Sequence, residues 1–230
     1  MTLLALALVG GMVAAFTYTE ALKLETKPVG TASVDRWLSP VCDCPRETAR
    51  LRFRLQEPKR LDVTIVDEDG ERVRVLESGV RHPVGRVGLR WDARDDAGQV
   101  VPDGAYRVRV RLRDERRTIV IPVDVKVDTT APRLRLVGVS PTLIEYEGVL
   151  RVRYRSNETA RPILSVDGTE VVRGERRGAG RRTLVWPAVV DGTPLAAGIH
   201  TVSLAVQDRA GNVSTPTAPV TILVREPAQE

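Results

Sequence analysis

The sequence repeats itself. GLRWDARDDAGQVVPDGAYRVRVRL at 88–112 returns as TLVWPAVVDGTPLAAGIHTVSLAV at 183–206, and LRFRL at 51–55 returns as LRVRY at 150–154. VTIVDEDGERV at 63–73 likewise answers ILSVDGTEVV at 163–172, and Ser39-Pro40 answers Ser140-Pro141. Trp91 falls on Trp186, Gly104 on Gly198 and Tyr106 on His200, with offsets between 94 and 101 residues throughout. A fixed period of this size means two similar units in tandem. A unit of roughly 90–100 residues can bury a core of its own, so neither copy depends on cross-links to fold.

The repeated segments alternate apolar with charged residues. Leu51–Leu55, Asp62–Val66, Tyr106–Leu112, Ile119–Val127, Leu150–Tyr154 and Thr201–Val206 all have period 2. That period sets one face of a strand on a core and the other in water. Turn signals separate the runs: Asp69-Gly70, Ala97-Gly98, Pro102-Asp103-Gly104, Asp167-Gly168 and Asp191-Gly192. Short strands with turns every 8 to 12 residues predict an all-β sandwich or barrel. The first unit is expected over 37–128 and the second over 129–230. Asp128-Thr129-Thr130-Ala131-Pro132 joins them, its proline unable to continue a central strand.

The first unit carries a family pattern: V-x-I-x-D-x-x-G-x-x-V-R-x-L followed by W-D-x-x-D-x-x-G-x-x-V-P-x-G-x-Y. The matching residues include Asp67, Gly70, Trp91, Asp92, Gly98, Pro102, Gly104 and Tyr106. Over about Leu51–Leu112 the chain resembles the FlgD-type bacterial Ig-like domain. The second unit keeps Trp186 and Gly198 and departs elsewhere; its Asp208-Arg209-Ala210-Gly211-Asn212 is similar to the close of Ig-like repeats on bacterial surface proteins. The resemblance implies two tandem immunoglobulin-like β-sandwich domains. It also implies a spacer, stabiliser or protein-contact role, although one fold serves many functions.

Leu3–Phe16 is an uncharged apolar run. It is short against the roughly 20 residues of a spanning helix and suits a signal-peptide core, although no Lys or Arg precedes it. The leading expectation is one hydrophobic signal-anchor helix over 1–19. A cleaved signal and a buried core helix are the alternatives. Either of the first two puts the rest of the chain outside the cytoplasm. The polar residues 20–36 are expected to form a stalk.

Cys42 and Cys44 are the two cysteines, in Ser-Pro-Val-Cys-Asp-Cys-Pro. Outside the cytoplasm thiols tend to oxidise, which favours a pair between them. Intermolecular disulfides, a redox role and a metal site remain open. Asp67–Gly70 and Asp92–Asp96 offer closely spaced oxygens, but turn-forming Asp accounts for them without calcium. His82 is expected in a solvated loop, and His200 as a packing residue with a polar tip.

Net charge is +5 and arginine outnumbers lysine 31 to 4, a balance that a GC-rich bacterial genome encodes. The arginines alternate along strands with acids nearby, as at Arg107, Arg109, Arg111 and Arg113, so nucleic acid is not the expected partner. No nucleophile, zinc or phosphate-loop motif is present, and no catalytic residue, cofactor or metal is assigned. The expected function is a non-catalytic, anchored surface protein that contacts a protein or a cell-wall polymer. An accessory or enzymatic part in wall or polysaccharide metabolism, and redox sensing through Cys42 and Cys44, are the rivals. The oligomeric state is not legible.

Overall fold

Alternation accounts for the strand that opens the repeat in each half. Ala49–Leu55 (ARLRFRL) buries Ala49, Leu51, Phe53 and Leu55 and exposes the arginines between them. Leu150–Ser156 (LRVRYRS) does the same with Leu150, Val152, Tyr154 and Ser156. Successive side chains of a strand point to opposite faces, so one apolar row faces a core and a row of guanidinium groups faces water.

The computed structural model describes residues 29–145 and 147–226, and among these the chain is all-β, without a helix. In the first half, Ser33–Val34, Ala49–Leu55 and Gly85–Trp91 form one sheet. The facing sheet runs Trp37–Leu38, Val125–Val127, Gly104–Leu112, Lys59–Val66, Arg72–His82. Arg117–Val120 also pairs with the far part of Gly104–Leu112. In the second half, Leu134–Ser140, Leu150–Ser156 and Gly180–Trp186 face a sheet ordered Leu143–Ile144, Val220–Val224, Gly198–Gln207, Arg161–Val166, Thr169–Arg173. Trp37–Leu38 and Leu143–Ile144 run parallel to the last strand of their own half, while the other pairs named are antiparallel. The repeated sequence therefore yields one strand order twice: two β-sandwiches, each closed over its own apolar cluster.

A tryptophan plugs each cluster. Trp91 and Trp186 are both 1% exposed. Each indole N–H donates to the carbonyl three residues on, Trp91 to Arg94 (2.9 Å) and Trp186 to Val189 (3.0 Å). The one polar atom of a large buried ring is thereby satisfied. In the first sandwich Tyr106 meets Trp91 edge-on, ring centroids 5.1 Å apart, and its hydroxyl donates to the Pro102 carbonyl at 2.8 Å.

Three expectations change in detail. The run Ile119–Val127 is two strands, Arg117–Val120 and Val125–Val127, because Pro122 between them has no N–H for the ladder. Part of the expected stalk is sandwich: Val29 bridges to Leu55, Ser33–Val34 pairs with Ala49–Leu55, and Val34 lies in the core. A two-residue strand is too short to show alternation in a sequence. His82 ends the strand Arg72–His82, with Nε2 2.7 Å from Glu77 Oε2, rather than lying in a solvated loop. The expected helix over 1–19 lies outside the described residues. Among the described residues no helix is long and apolar enough to cross a membrane.

Replacing either tryptophan by alanine is expected to cost about 3–5 kcal/mol. Chemical denaturation of Trp91→Ala and Trp186→Ala, followed by far-UV circular dichroism, should show a lower midpoint for each variant.

Candidate functional site

Loops at facing ends of the two sandwiches meet around a short linker. The Cys42–Cys44 pair is at disulfide distance and closes a tight loop, with the Ser39 N–H bonded to the Arg46 carbonyl at 3.0 Å. This loop belongs to the first sandwich and rests on Asp208–Asn212 of the second. Ser39, fully buried, donates its hydroxyl to Asn212 Oδ1 at 2.6 Å. The Asn212 amide nitrogen donates to the Asp128 carbonyl (2.9 Å) and to Asp208 Oδ2 (2.7 Å). Asp208 Oδ1 accepts the backbone N–H of Gly211 (2.6 Å) and of Asn212 (2.9 Å), which shapes the loop.

Gly211 is required here for two reasons. Its φ is +108°, a conformation that suits glycine. A Cβ at this position would also collide with Cys44 Sγ and sit 3.3 Å from Cys42 Sγ. The sulfurs therefore occupy the space that a side chain on the second sandwich would need.

The linker is held from the other side by Asp103. Its Oδ1 accepts the Thr129 N–H and hydroxyl, both at 2.9 Å, and its Oδ2 accepts the Thr130 hydroxyl at 3.1 Å. Asp128 Oδ1 accepts the Thr130 N–H at 3.1 Å.

Carboxylates collect at the same place. Oxygens of Asp128, Glu158 and Asp208 lie within 4.8 Å of one another. Burial, then the neighbouring carboxylates, raises the pKa of Glu158; burial also raises that of Asp128, with Asp208 and Asp103 adding to it. An all-oxygen set of this kind is what a hard cation takes, but calcium wants about 6–8 ligands. Asp208 is already engaged by three N–H donors.

The acidic turns of the first sandwich are turn caps. Asp67 Oδ1 accepts the Glu71 N–H (2.8 Å), and Asp95 Oδ1 accepts those of Ala97 (2.9 Å) and Gln99 (2.8 Å). Asp92 Oδ1 accepts the Arg94 N–H at 3.2 Å. Gly70 and Gly98 hold positive φ in these turns, at +84° and +79°. Pro102 and Gly104 are exposed on the approach to Tyr106. Of the signature residues, Trp91, Tyr106 and Trp186 are core, while Asp67, Gly70, Asp92, Gly98, Pro102, Gly104 and Gly198 shape turns and strand starts.

His200 takes the place of Tyr106 in the second sandwich and repeats its bond. Nε2 lies 2.9 Å from the Ala196 carbonyl, four residues back, as Tyr106 reaches Pro102. Nδ1 lies 2.7 Å from Asp167 Oδ2. Two acceptors facing both ring nitrogens call for the imidazolium. Burial works against the charge, but Asp167 and the Ala196 carbonyl outweigh it and raise the pKa above its ordinary value.

With this geometry in place, comparison with known proteins finds a similarity within the first sandwich. Residues 46–115 match the FlgD Ig-like domain. That span contains Trp91, the capped acidic turns and Tyr106, the same residues that carry the sequence pattern. No curated protein matches the chain. Among solved structures, it is similar to the fibronectin(III)-like modules of Clostridium thermocellum CbhA, at 16% identity and TM-score 0.45, covering 85% of this chain and 94% of that one. The BSP domain of a biofilm associated protein is 12% identical with TM-score 0.30, covering 86% of this chain and 30% of that one. Dimeric latent PorU from Porphyromonas gingivalis is 10% identical with TM-score 0.34, covering 86% and 20%. The chain thus spans under a third of the latter two.

Two pH-linked outcomes follow. The folded pKa of His200 is raised, so its stabilisation is complete below the unfolded value of about 6.5. It is lost as pH rises through the folded value. The wild-type Tm should fall over that window, and His200→Gln should flatten the profile. Glu158 has a raised pKa, so its ionised form is disfavoured in the fold and the cost is present at neutral pH. Glu158→Gln should therefore raise Tm at pH 7, with the gain vanishing as pH falls below the carboxylate range, measured by calorimetry.

Proposed function

We propose that the chain is a non-catalytic structural or interaction protein of the bacterial cell surface, anchored by its N-terminal segment. It presents two Ig-like sandwiches outside the cytoplasm to a protein or cell-wall polymer. The observation that carries this reading is the junction: a buried Ser39–Asn212 bond, a linker clamped by Asp103, and a loop closed by Cys42 and Cys44 hold the two sandwiches together. A stiff spacer keeps a binding surface at a set distance from its anchor, whereas a flexible linker would spread it over many positions. The paired cysteines support an oxidising compartment, and the apolar run Leu3–Phe16 supports export.

A redox-sensing use has one observation in its favour, the position of the cysteine pair at the contact between the sandwiches. Intact-protein mass spectrometry before and after mild dithiol treatment distinguishes it from a purely structural pair.

Cell fractionation and protease treatment of intact cells test the main reading. The full chain should sediment with membranes and be degraded from outside. A cytosolic, protease-protected chain overturns the reading. Release into the medium replaces the anchor by a cleaved signal and leaves the extracytoplasmic role standing.

A further inference from the structure

The arginines of this protein differ in what surrounds them. On the outer face of the larger sheet of the first sandwich several have partners. Arg107 pairs with Asp124 at 2.9 Å, Arg113 with Asp62 at 2.6 Å, and Arg109 donates to the Gly70 carbonyl at 2.6 Å. The junction differs. A cleft of about 490 Å³ lies between the sandwiches, lined by five arginines, Arg36, Arg46, Arg50, Arg161 and Arg173, against one carboxylate, Asp35. Asp35 is already taken by Arg50 at 2.9 Å, and Arg173 is paired with Glu170 at 2.8 Å. Among the described residues no carboxylate pairs with Arg36, Arg46 or Arg161.

Two further features mark missing negative charge. The Nε atoms of Arg161 and of neighbouring Arg176 are buried without an acceptor, and a buried donor left unpaired is costly. Burial, then repulsion by Arg161, Arg46 and Arg209, lowers the pKa of Arg176, so these guanidinium groups sense one another. A second cleft of about 280 Å³ adjoins the first, shares Arg36 and Trp37 with it, and adds Lys126 and Arg209 against one carboxylate, Asp124, which is already paired with Arg107. Both of these cations sit over the Trp37 ring, at 5.5 and 5.6 Å.

We propose that the interdomain cleft binds the phosphate groups of a phosphodiester-bearing anionic polymer, with Arg36, Arg46 and Arg161 as its principal contacts. Guanidinium groups reach the cleft from both sandwiches. A carboxylate holds its two oxygens in one plane, which suits one guanidinium fork, whereas the two non-bridging oxygens of a phosphodiester stand on a tetrahedral phosphorus and can each accept from a different wall. Two adjoining cationic clefts fit a ligand that repeats its charge, and a polymer does so. The lining is mainly polar, and Trp37, Cys44 and Pro45 are too small an apolar surface to enter a bilayer, which sets a lipid headgroup aside. The inference rests on the proposed binding role and narrows its partner.

Binding of the full chain to soluble inorganic polyphosphate, by fluorescence anisotropy or calorimetry, tests it. Arg36→Glu/Arg46→Glu alters two exposed side chains, so folding is preserved. Arg151→Glu/Arg155→Glu makes the same change of net charge on an outward strand face of the second sandwich. The cleft variant should lose about tenfold or more in affinity while the control stays within a few-fold of wild type. Equal losses in both variants, absence of polyphosphate binding, equal binding of polygalacturonate, or binding only to phosphatidylglycerol vesicles would each overturn the proposal. A chain that ignores polyphosphate and yet fractionates with membranes, exposed to external protease, fails the phosphate inference alone.

Discussion

The side chain of Asn212 is the bond on which the arrangement of the molecule depends. Its carbonyl oxygen takes the hydroxyl of Ser39 in the first sandwich, and its amide nitrogen bonds the Asp128 carbonyl of the linker and the carboxylate of Asp208 in its own loop. Donor and acceptor of one buried carboxamide are thus spent on three parts of the chain. Neither sandwich needs this bond for its core, since each closes over its own cluster. What it decides is the angle between them. A buried amide cannot shift one partner without orphaning another, so the junction behaves as a unit.

The two halves also show how one strand order tolerates different chemistry at matched positions. The indole bonds of Trp91 and Trp186 are the same, three residues on in each case. The corner below them is not: Tyr106 fills it with a neutral phenol packed on Trp91, and His200 with a ring held by Asp167. Backbone geometry asks only for a donor that reaches four residues back, and either side chain supplies it. The cost of the substitution is a titratable group in the second sandwich where the first has a neutral hydroxyl.

The sheets were legible because period-2 alternation is a local property, and the halves confirm each other through Trp, Gly and the corner residue. The FlgD-type pattern was legible for the same reason, since capped turns and strand starts are set by near neighbours. The junction was not. Ser39 and Asn212 are 173 residues apart, and nothing in Ser-Pro-Val-Cys-Asp-Cys-Pro points to Asp-Arg-Ala-Gly-Asn. Asp128, Glu158 and Asp208 come from the linker, a loop and the closing motif, so no spacing announces their cluster. The glycine of that motif was the available signal: Gly211 is needed because the cysteine loop rests on it. Short strands such as Ser33–Val34 left no period to read.

Charge shows where local reading gives out most clearly. Arginine at every second position of a strand reads as a solvated face, and on the outer sheet of the first sandwich that is what the fold makes of it, with Asp62 and Asp124 alongside. Arg161 carries no different sequence mark from Arg153 or Arg155. It differs because its strand begins where two sandwiches meet, beside Arg46 from the other one. Guanidinium groups that face water repel weakly, being screened; beside the cleft, burial first and then repulsion by Arg161, Arg46 and Arg209 disfavour the charge on Arg176. The clamp that fixes the interdomain angle therefore also maintains this concentration of positive charge. A looser linker would let the arginines move apart, and the junction bonds prevent it.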